Sequence, residues 1–290
     1  MTDLRCSRRA FLAAAAILPA LRVYGADLAT PQQSLAGIER RLGGRIGVAA
    51  LDTGSGRRFD YRGGELFAMC STFKLLLSAA VLSRVDAGQE QLGRVLSYGE
   101  KDLQEYAPVA RQHLRQGGLS VGELCAAAVS WSDNTAANLL LATLGGPAGL
   151  TRYIRGLGDG VTRLDRNEPE LNTAIAGDPR DTTTPAAMLG SMRAVLLGTA
   201  LSPASRGQLS AWLVANQTGA RRLRAGVPAD WRVGDKTGTG DNGAVNDIAI
   251  LWPPGKAPVL VTAYTVESPA STAGHETALA EIGKLVAAYF

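Results

Sequence analysis

Ser71-Thr72-Phe73-Lys74 sets a hydroxyl and a primary amine three residues apart. On a helix those two positions share a face, so the amine can reach the hydroxyl. Serine is a weak nucleophile until a neighbouring base takes its proton. A helix start also offers free N–H groups to developing negative charge. Ser132-Asp133-Asn134 adds a second hydroxyl and a carboxamide between two helical stretches. Lys236-Thr237-Gly238 ends a strand and enters Thr239-Gly240. Its cation and hydroxyls suit an anion such as a carboxylate, and Gly238 lets a ligand come close to the backbone. In Glu168-Pro169-Glu170-Leu171-Asn172 a carboxylate and a carboxamide stand four apart and can hold one water between them.

Each pattern has a plain structural explanation. The first could be a helix start with an exposed lysine and the second a helix cap, with Asp133 as the capping residue. The third could be a β-turn and the fourth a solvated acidic loop. All four occur once, in one order along the chain, at a joint chance expectation on the order of 1 in 100,000. That figure favours a shared site over four coincidences.

Positioning these groups requires a folded core, and the chain can build one. It has 290 residues, 46% hydrophobic and 19% charged, which excludes wholesale disorder. The length suits one large domain or two intimate ones. The net charge is +4, but its arginines are scattered, with Arg221-Arg222-Leu223-Arg224 the densest group away from the N-terminus. No nucleic-acid stripe is expected. Two histidines and three cysteines are too few for a His/Cys zinc site, so neither a metal nor another cofactor is expected.

The periodicity predicts a helix over 33–42, strands over 45–51 and 57–61 joined by a turn at 52–56, and a helix over 71–86 that is apolar nearly all round. Ser120 and Glu123 form a capping box for the helix carrying Cys125. A helix from Asn134 to Leu144 is stopped by Gly145-Gly146-Pro147. Residues 163–181 read as a long loop, which in a compact domain is usually functional or disordered. Helices follow over 185–197 and 205–216, then strands over 232–236, 248–252 and 259–265, and a last helix from about His275. Strands at both ends and helices between them suggest one sheet built from the two termini, with a second, helical lobe.

Ser7-Arg8-Arg9-Ala10-Phe11-Leu12 is a twin-arginine pattern ahead of an apolar run, 11–21, too short to span a bilayer. Residues 1–26 are therefore read as a Tat-type bacterial signal peptide, and the remainder as periplasmic or secreted with no membrane attachment. This leader carries Arg5, Arg8, Arg9 and Arg22 against Asp3, so most of the basic balance belongs to it. Cys6 also lies there. Cys70 and Cys125 sit in apolar helical contexts, where free buried cysteine is common, and are expected to remain unbridged.

Taken together, the four motifs resemble the class A serine β-lactamases. The resemblance spans essentially the whole chain after the leader. Arg163-Leu164-Asp165-Arg166, Arg180-Asp181-Thr182-Thr183-Thr184-Pro185 and Asn246-Asp247 add to it. It implies an α+β fold, a β-lactamase/transpeptidase-like five-stranded antiparallel sheet flanked by helices, plus an all-helical lobe. Residues 27–62 and 220–290 would form the α/β lobe and 63–219 the helical lobe, with 163–181 as the omega loop. Ser71 would be the acylated nucleophile, with the backbone N–H groups of Ser71 and Thr239 as oxyanion hole. Lys74 and Glu168 are both candidate acylation bases. Ser132 would pass a proton to the departing lactam nitrogen, and Glu168 with Asn172 would activate the deacylating water. Asn134 would bind the substrate's amide side chain. Lys236, Thr237, Gly238 and Thr239 would receive its carboxylate, supported by Arg222 and lined by Thr218. Tyr106 would wall the entrance. Arg221 and Arg224 are read as solvated charges.

The resemblance further implies an Arg166–Asp181 ion pair and a cis Glu168–Pro169 peptide. Two cysteine bridges of relatives cannot form here, since Ser78 and Gly240 stand where a second cysteine would be needed. The implied partner is a small-molecule β-lactam, acted on by a monomer, with the Tat machinery handling the precursor. A D-Ala-D-Ala peptidase or transpeptidase shares the Ser-x-x-Lys and Lys-Thr-Gly logic but lacks a deacylating Glu–Asn pair. An acylated sensor would need a membrane-linked signalling segment.

Overall fold

The computed structural model describes Thr2 and residues 30–290. The leader read at residues 1–26 lies, Thr2 apart, outside the described residues. Helix α1 (Pro31–Leu42) starts two residues earlier than its periodicity suggests, because Thr30 caps it. Thr30 Oγ1 accepts from Gln33 N at 3.2 Å and Gln33 Oε1 accepts from Thr30 N at 2.8 Å. Strands β1 (Arg45–Asp52) and β2 (Arg58–Tyr61) form the expected hairpin. The chain continues through β3 (Phe67–Ala68), α2 (Phe73–Asp86), β4 (Val95–Ser97), α3 (Pro108–Gln112), β5 (Gly118–Ser120), α4 (Val121–Ser130), α5 (Asn134–Thr143) and α6 (Pro147–Gly156). After the long loop come β6 (Thr182–Thr183), α7 (Pro185–Leu196), α8 (Pro203–Val214), α9 (Leu223–Gly226), β7 (Arg232–Thr239), β8 (Val245–Trp252), β9 (Val259–Val266) and α10 (Thr272–Tyr289).

The five-stranded sheet runs β2-β1-β9-β8-β7 and every neighbouring pair is antiparallel. Successive side chains on a strand face opposite sides. Accordingly Ile248 and Ile250 join the core beneath the helical half, while Ala249 and Leu251 join the layer packed under α1 and α10. Helix α2 is buried all round: Leu75, Leu76, Leu77, Ala79, Ala80, Val81 and Leu82 are at most 2% exposed. It packs on α4, α5, α6, α7 and α8. Full burial of one leucine contributes about 1.5–3 kcal/mol, so this helix is a firm post for whatever stands at its N-terminal end.

Several expectations need correction. The Ser71 segment enters as a 3-10 turn, Cys70–Thr72, before α2 proper begins, with Cys70 at φ +45°. Strand β7 does not end at Lys236 but runs to Thr239, because Gly238 and Thr239 keep pairing with Asn246 and Val245. Gly145-Gly146-Pro147 is a stop and also a start. Pro147 occupies the first turn of α6, where its missing N–H costs nothing, and Leu150 and Ile154 bury one face. Ser271 caps α10, which therefore begins at Thr272. Arg224 is not a solvated charge: its Nη2 lies 2.5 Å from the fully buried Asp235. Arg221 is largely exposed and pairs with Glu276 at 2.9 Å.

Cys70 and Cys125 are both free and buried. A Cβ on Gly240 would stand 2.7 Å from Cys70 Sγ, so that thiol is covered by the backbone of the loop after β7. Cys125 faces Ser78, and burial pushes its thiol up to about 12. Buried, protonated thiols are unreactive. In a chain beginning at residue 30, a thiol reagent at pH 8 is expected to label none in the native state and two after denaturation; a count of zero after denaturation would mean a disulfide.

Candidate active site

Ser71 sits where the 3-10 turn meets α2, 7% exposed at the floor of a cleft. Its Oγ donates to Glu168 Oε1 at 3.1 Å and accepts from Lys74 Nζ at 2.9 Å. Lys74, one turn along, is fully buried. Its ammonium also donates to Ser132 O at 2.8 Å and Asn134 Oδ1 at 2.6 Å, and lies 2.9 Å from Glu168 Oε1. Four oxygens surround Nζ, and a lysine amine offers three protons only when charged. Burial pushes Lys74 below the usual lysine range against the pull of Glu168. Lys236 is pushed well below by burial and by the charges of Lys74 and Arg222.

The Ser132-Asp133-Asn134 corner is built by Asp133. Its Oδ1 caps α5 through Ala136 N, and its Oδ2 accepts from Val109 N and Ala110 N, each at 2.9 Å. It therefore performs the capping role that could have explained the motif away. The same corner holds Ser132 at φ +59° and turns its hydroxyl toward Lys236 Nζ, 3.0 Å away. Asn134 N donates to Tyr106 O at 3.0 Å, which draws the Tyr106 segment to the rim, where the side chain is half exposed.

Glu168 reaches Ser71 because the long loop is clasped at its base. Arg166 Nε pairs with the buried Asp181 at 2.6 Å, as anticipated, and Asp181 Oδ1 also accepts from Asp165 N and Arg166 N. The Glu168–Pro169 peptide is cis. Asn172 Nδ2 donates to Glu168 Oε2 at 2.5 Å. The sequence reading missed Asn138. Its Oδ1 accepts from Glu168 N at 3.0 Å and its Nδ2 donates to Glu168 O at 2.8 Å, pinning the loop to α5. The available signal was a carboxamide four residues after Asn134, on the same helical face.

The far wall is β7. A Cβ on Gly238 would stand 2.7 Å from Met69 O, so glycine lets this strand run against the turn that carries Ser71. Asn246 fastens the contact by donating to Ala68 O and Met69 O. Lys236 Nζ donates to Thr237 O at 2.8 Å, and Thr237 shares a hydrogen bond with Thr218. Arg222, 6% exposed, donates to Gly238 O, Asn246 O and Thr239 Oγ1 at 2.7–2.9 Å. Ser71, Tyr106, Ser132, Asn134, Asn172, Thr218, Arg222, Thr237 and Thr239 thus line one cavity of about 330 Å³. Lys74, Glu168 and Lys236 lie just beneath it, 2% exposed or less.

Asn138→Ala removes both backbone ties to Glu168 and leaves buried groups unpaired. A loss of about 1–3 kcal/mol in stability is expected. Urea denaturation measures it, and faster hydrogen exchange should appear at the amides of residues 165–172.

A sequence model described as the β-lactamase enzyme family matches residues 30–290. The chain is 45% identical over 282 residues to β-lactamase OXY-1 of Klebsiella oxytoca, spanning 96% of this chain and 97% of that one. It is 46% identical over 255 residues to β-lactamase CTX-M-8 of Citrobacter amalonaticus, spanning 88% and 87%. Its fold is similar to an ancestral class A β-lactamase, GNCA, with a TM-score of 0.89 and 61% identity over 90% of this chain and 100% of that one. It is also similar to a putative class A β-lactamase, PenP, from Rhodopseudomonas palustris, with a TM-score of 0.88 and 53% identity over 90% and 99%. A serine held between a buried lysine and a buried glutamate, on this fold and with these relatives, places the chain in the class A β-lactamase family.

Proposed function

We propose that the chain hydrolyses the amide bond of β-lactam antibiotics through an acyl-enzyme on Ser71, and so confers antibiotic resistance. The observation that carries this reading is Glu168. One of its oxygens meets the Ser71 hydroxyl at 3.1 Å while the other is held by Asn172. Ser71 Oγ attacks the lactam carbonyl, and its proton leaves along the hydrogen bond it already donates to Glu168. Lys74, ringed by acceptors, holds the serine oxygen and that carboxylate together. The backbone N–H groups of Ser71 and Thr239 receive the oxyanion, a contribution of about 3 kcal/mol. Ser132 Oγ, accepting from Lys236, hands its own proton to the departing ring nitrogen. The proton that Glu168 took from Ser71 passes by way of Lys74 to the Ser132 hydroxyl, which restores Ser132 and frees the carboxylate for the second step.

Deacylation needs a water on the carbonyl face beside Glu168. Asn172 Oδ1 is buried and has no protein partner among the described residues, which suits it to hold that water while Glu168 takes its proton and returns it to Ser71 Oγ as the ester bond breaks. Lys236, Thr237 and Thr239 bind the substrate carboxylate, with Gly238 leaving the backbone open beside it, Arg222 supporting Thr239 from behind and Thr218 lining the same wall. Asn134 binds the side-chain amide and Tyr106 walls the entrance. A D-Ala-D-Ala peptidase or an acylated sensor shares the serine and lysines, but the Glu168–Asn172 pair favours turnover by water. The wild-type chain is expected to hydrolyse nitrocefin over many cycles. Glu168→Ala should give a single stoichiometric burst with a trapped acyl-enzyme visible by mass spectrometry. Absence of turnover by the wild type would overturn the assignment.

Residues 1–26 act as a twin-arginine export leader, on the strength of Arg8-Arg9-Ala10-Phe11-Leu12 and the short apolar run that follows. Replacing Arg8 and Arg9 by lysine should leave the precursor in the cytoplasm, as read by fractionation; export undiminished by that change would show that another route is used.

A further inference from the structure

Behind the carboxylate-binding wall, three buried polar atoms have no protein partner among the described residues: Arg222 Nε, Asp247 Oδ1 and His275 Nε2. Their side chains belong to residues no more than 6% exposed. All three residues are tied to one short stretch of β8. Arg222 Nη1 donates to Asn246 O at 2.8 Å, and Asp247 is the next residue, its Oδ2 accepting from Leu223 N at 3.1 Å. His275 Nδ1 lies 3.0 Å from Thr265 Oγ1, the oxygen that accepts from Val245 N. Val245 and Asp247 share a sheet face about 7 Å apart. The three orphaned atoms therefore belong to side chains anchored on the same three residues of β8, Val245–Asp247.

Their hydrogen-bonding roles are fixed by their surroundings. Arg222 Nε can only donate. The single Thr265 hydroxyl proton is directed at the Gly243 and Val245 carbonyls, 2.9 and 2.8 Å away. His275 Nδ1 must then carry the proton in its bond to Thr265, which leaves Nε2 of the neutral ring as an acceptor. Burial and the Arg222 charge hold His275 below its usual range, against a backbone contact with Ala270 that favours the charged ring, in keeping with a neutral ring. Asp247 Oδ1 accepts. One donor and two acceptors match a single water. Asp247 also makes no direct ion pair with Arg222, although the two charges face each other.

We propose that one buried water accepts from Arg222 Nε and donates to Asp247 Oδ1 and His275 Nε2. Through it, Asp247 and His275 are positioning residues for the guanidinium that supports Thr239. Arg222 is then held on every nitrogen: Nη1 and Nη2 by the β7–β8 edge, and Nε by the water. The consequence for catalysis rests on the proposed reading of Arg222 as carboxylate support. Loss of the bridge should weaken recognition of the substrate carboxylate and leave the acyl chemistry alone.

A crystal structure that resolves ordered solvent should show one full-occupancy water within hydrogen-bond distance of all three atoms; none there overturns the proposal. Asp247→Ala should raise the nitrocefin KM about tenfold with kcat within about twofold, the effect of one charge-assisted hydrogen bond. For nitrocefin methylated on its ring carboxylate, the same variant should leave KM unchanged. If Asp247→Ala does not fold, His275→Phe, which removes one acceptor, should raise KM about threefold, and His275→Gln, which keeps an acceptor, should restore it. Equal KM for His275→Phe and wild type, or equal losses on both substrates, would overturn the positioning role. Arg222→Ala separates the two readings: if that change leaves KM unaltered, the carboxylate-support reading fails, while the solvent position still decides the bridge.

Discussion

The site depends on one buried ion pair. Lys74 Nζ and Glu168 Oε1 stand 2.9 Å apart, and neither side chain is exposed to solvent. Removing two charges from water costs several kcal/mol for each, and their attraction offsets that only with good geometry and further hydrogen bonds. Both conditions are met by other parts of the molecule. The ammonium has Ser71 Oγ, Ser132 O and Asn134 Oδ1 around it, and the carboxylate has Ser71 and Asn172. Such a pair is poor at stabilising a fold but good at fixing a geometry, since leaving either partner alone costs about 3–5 kcal/mol.

Each partner comes from a part of the chain with its own means of being held. Lys74 rides on α2, which is rigid because apolar neighbours cover every side of it. Glu168 comes from a loop with little core of its own. It is held by ties at three levels: the Arg166–Asp181 clasp at the base, Asn138 at the backbone and Asn172 at the carboxylate. The serine lies where these two supports and the β7 strand meet, so any change that loosens one of them is felt at Ser71.

A second set of buried charges lies on the opposite side of β7 and β8. Asp235 takes Arg224 and Asn216, and Asp247 faces Arg222. Burial raises both acids above the usual carboxylate range, the Asp235 charge adds to the rise at Asp247, and the arginines oppose it. This layer keeps Arg222 from withdrawing toward solvent and directs its two terminal nitrogens forward to Gly238, Asn246 and Thr239. Cations therefore concentrate at one wall, although residues 27–290 together are close to neutral.

The side chains gathered at the site were legible because the chemistry they suit sets their type and spacing. Ser71 and Lys74 must be one helical turn apart, and Glu168 and Asn172 must share one short turn. Local rules also fixed the capping box at Ser120 and the apolar belt of α2. Other features depended on partners distant in the chain. Pro147 reads as a helix stop from its left and proved to be a first-turn residue once Leu150 and Ile154 had a core to face. The end of β7 was set by Asn246 and Val245 across the ladder, not by Gly238 itself. Arg224 resembled a surface charge until folding brought Asp235 beside it, and Asn138 had no visible purpose until the loop returned to α5. A sequence determines which groups are present and what neighbours within a turn can do. Which charges share a low-dielectric space, and which polar atoms are left needing a partner there, is decided by contacts well beyond one turn, such as Arg224 with Asp235 and Asn138 with Glu168. Those contacts exist only after the chain has folded.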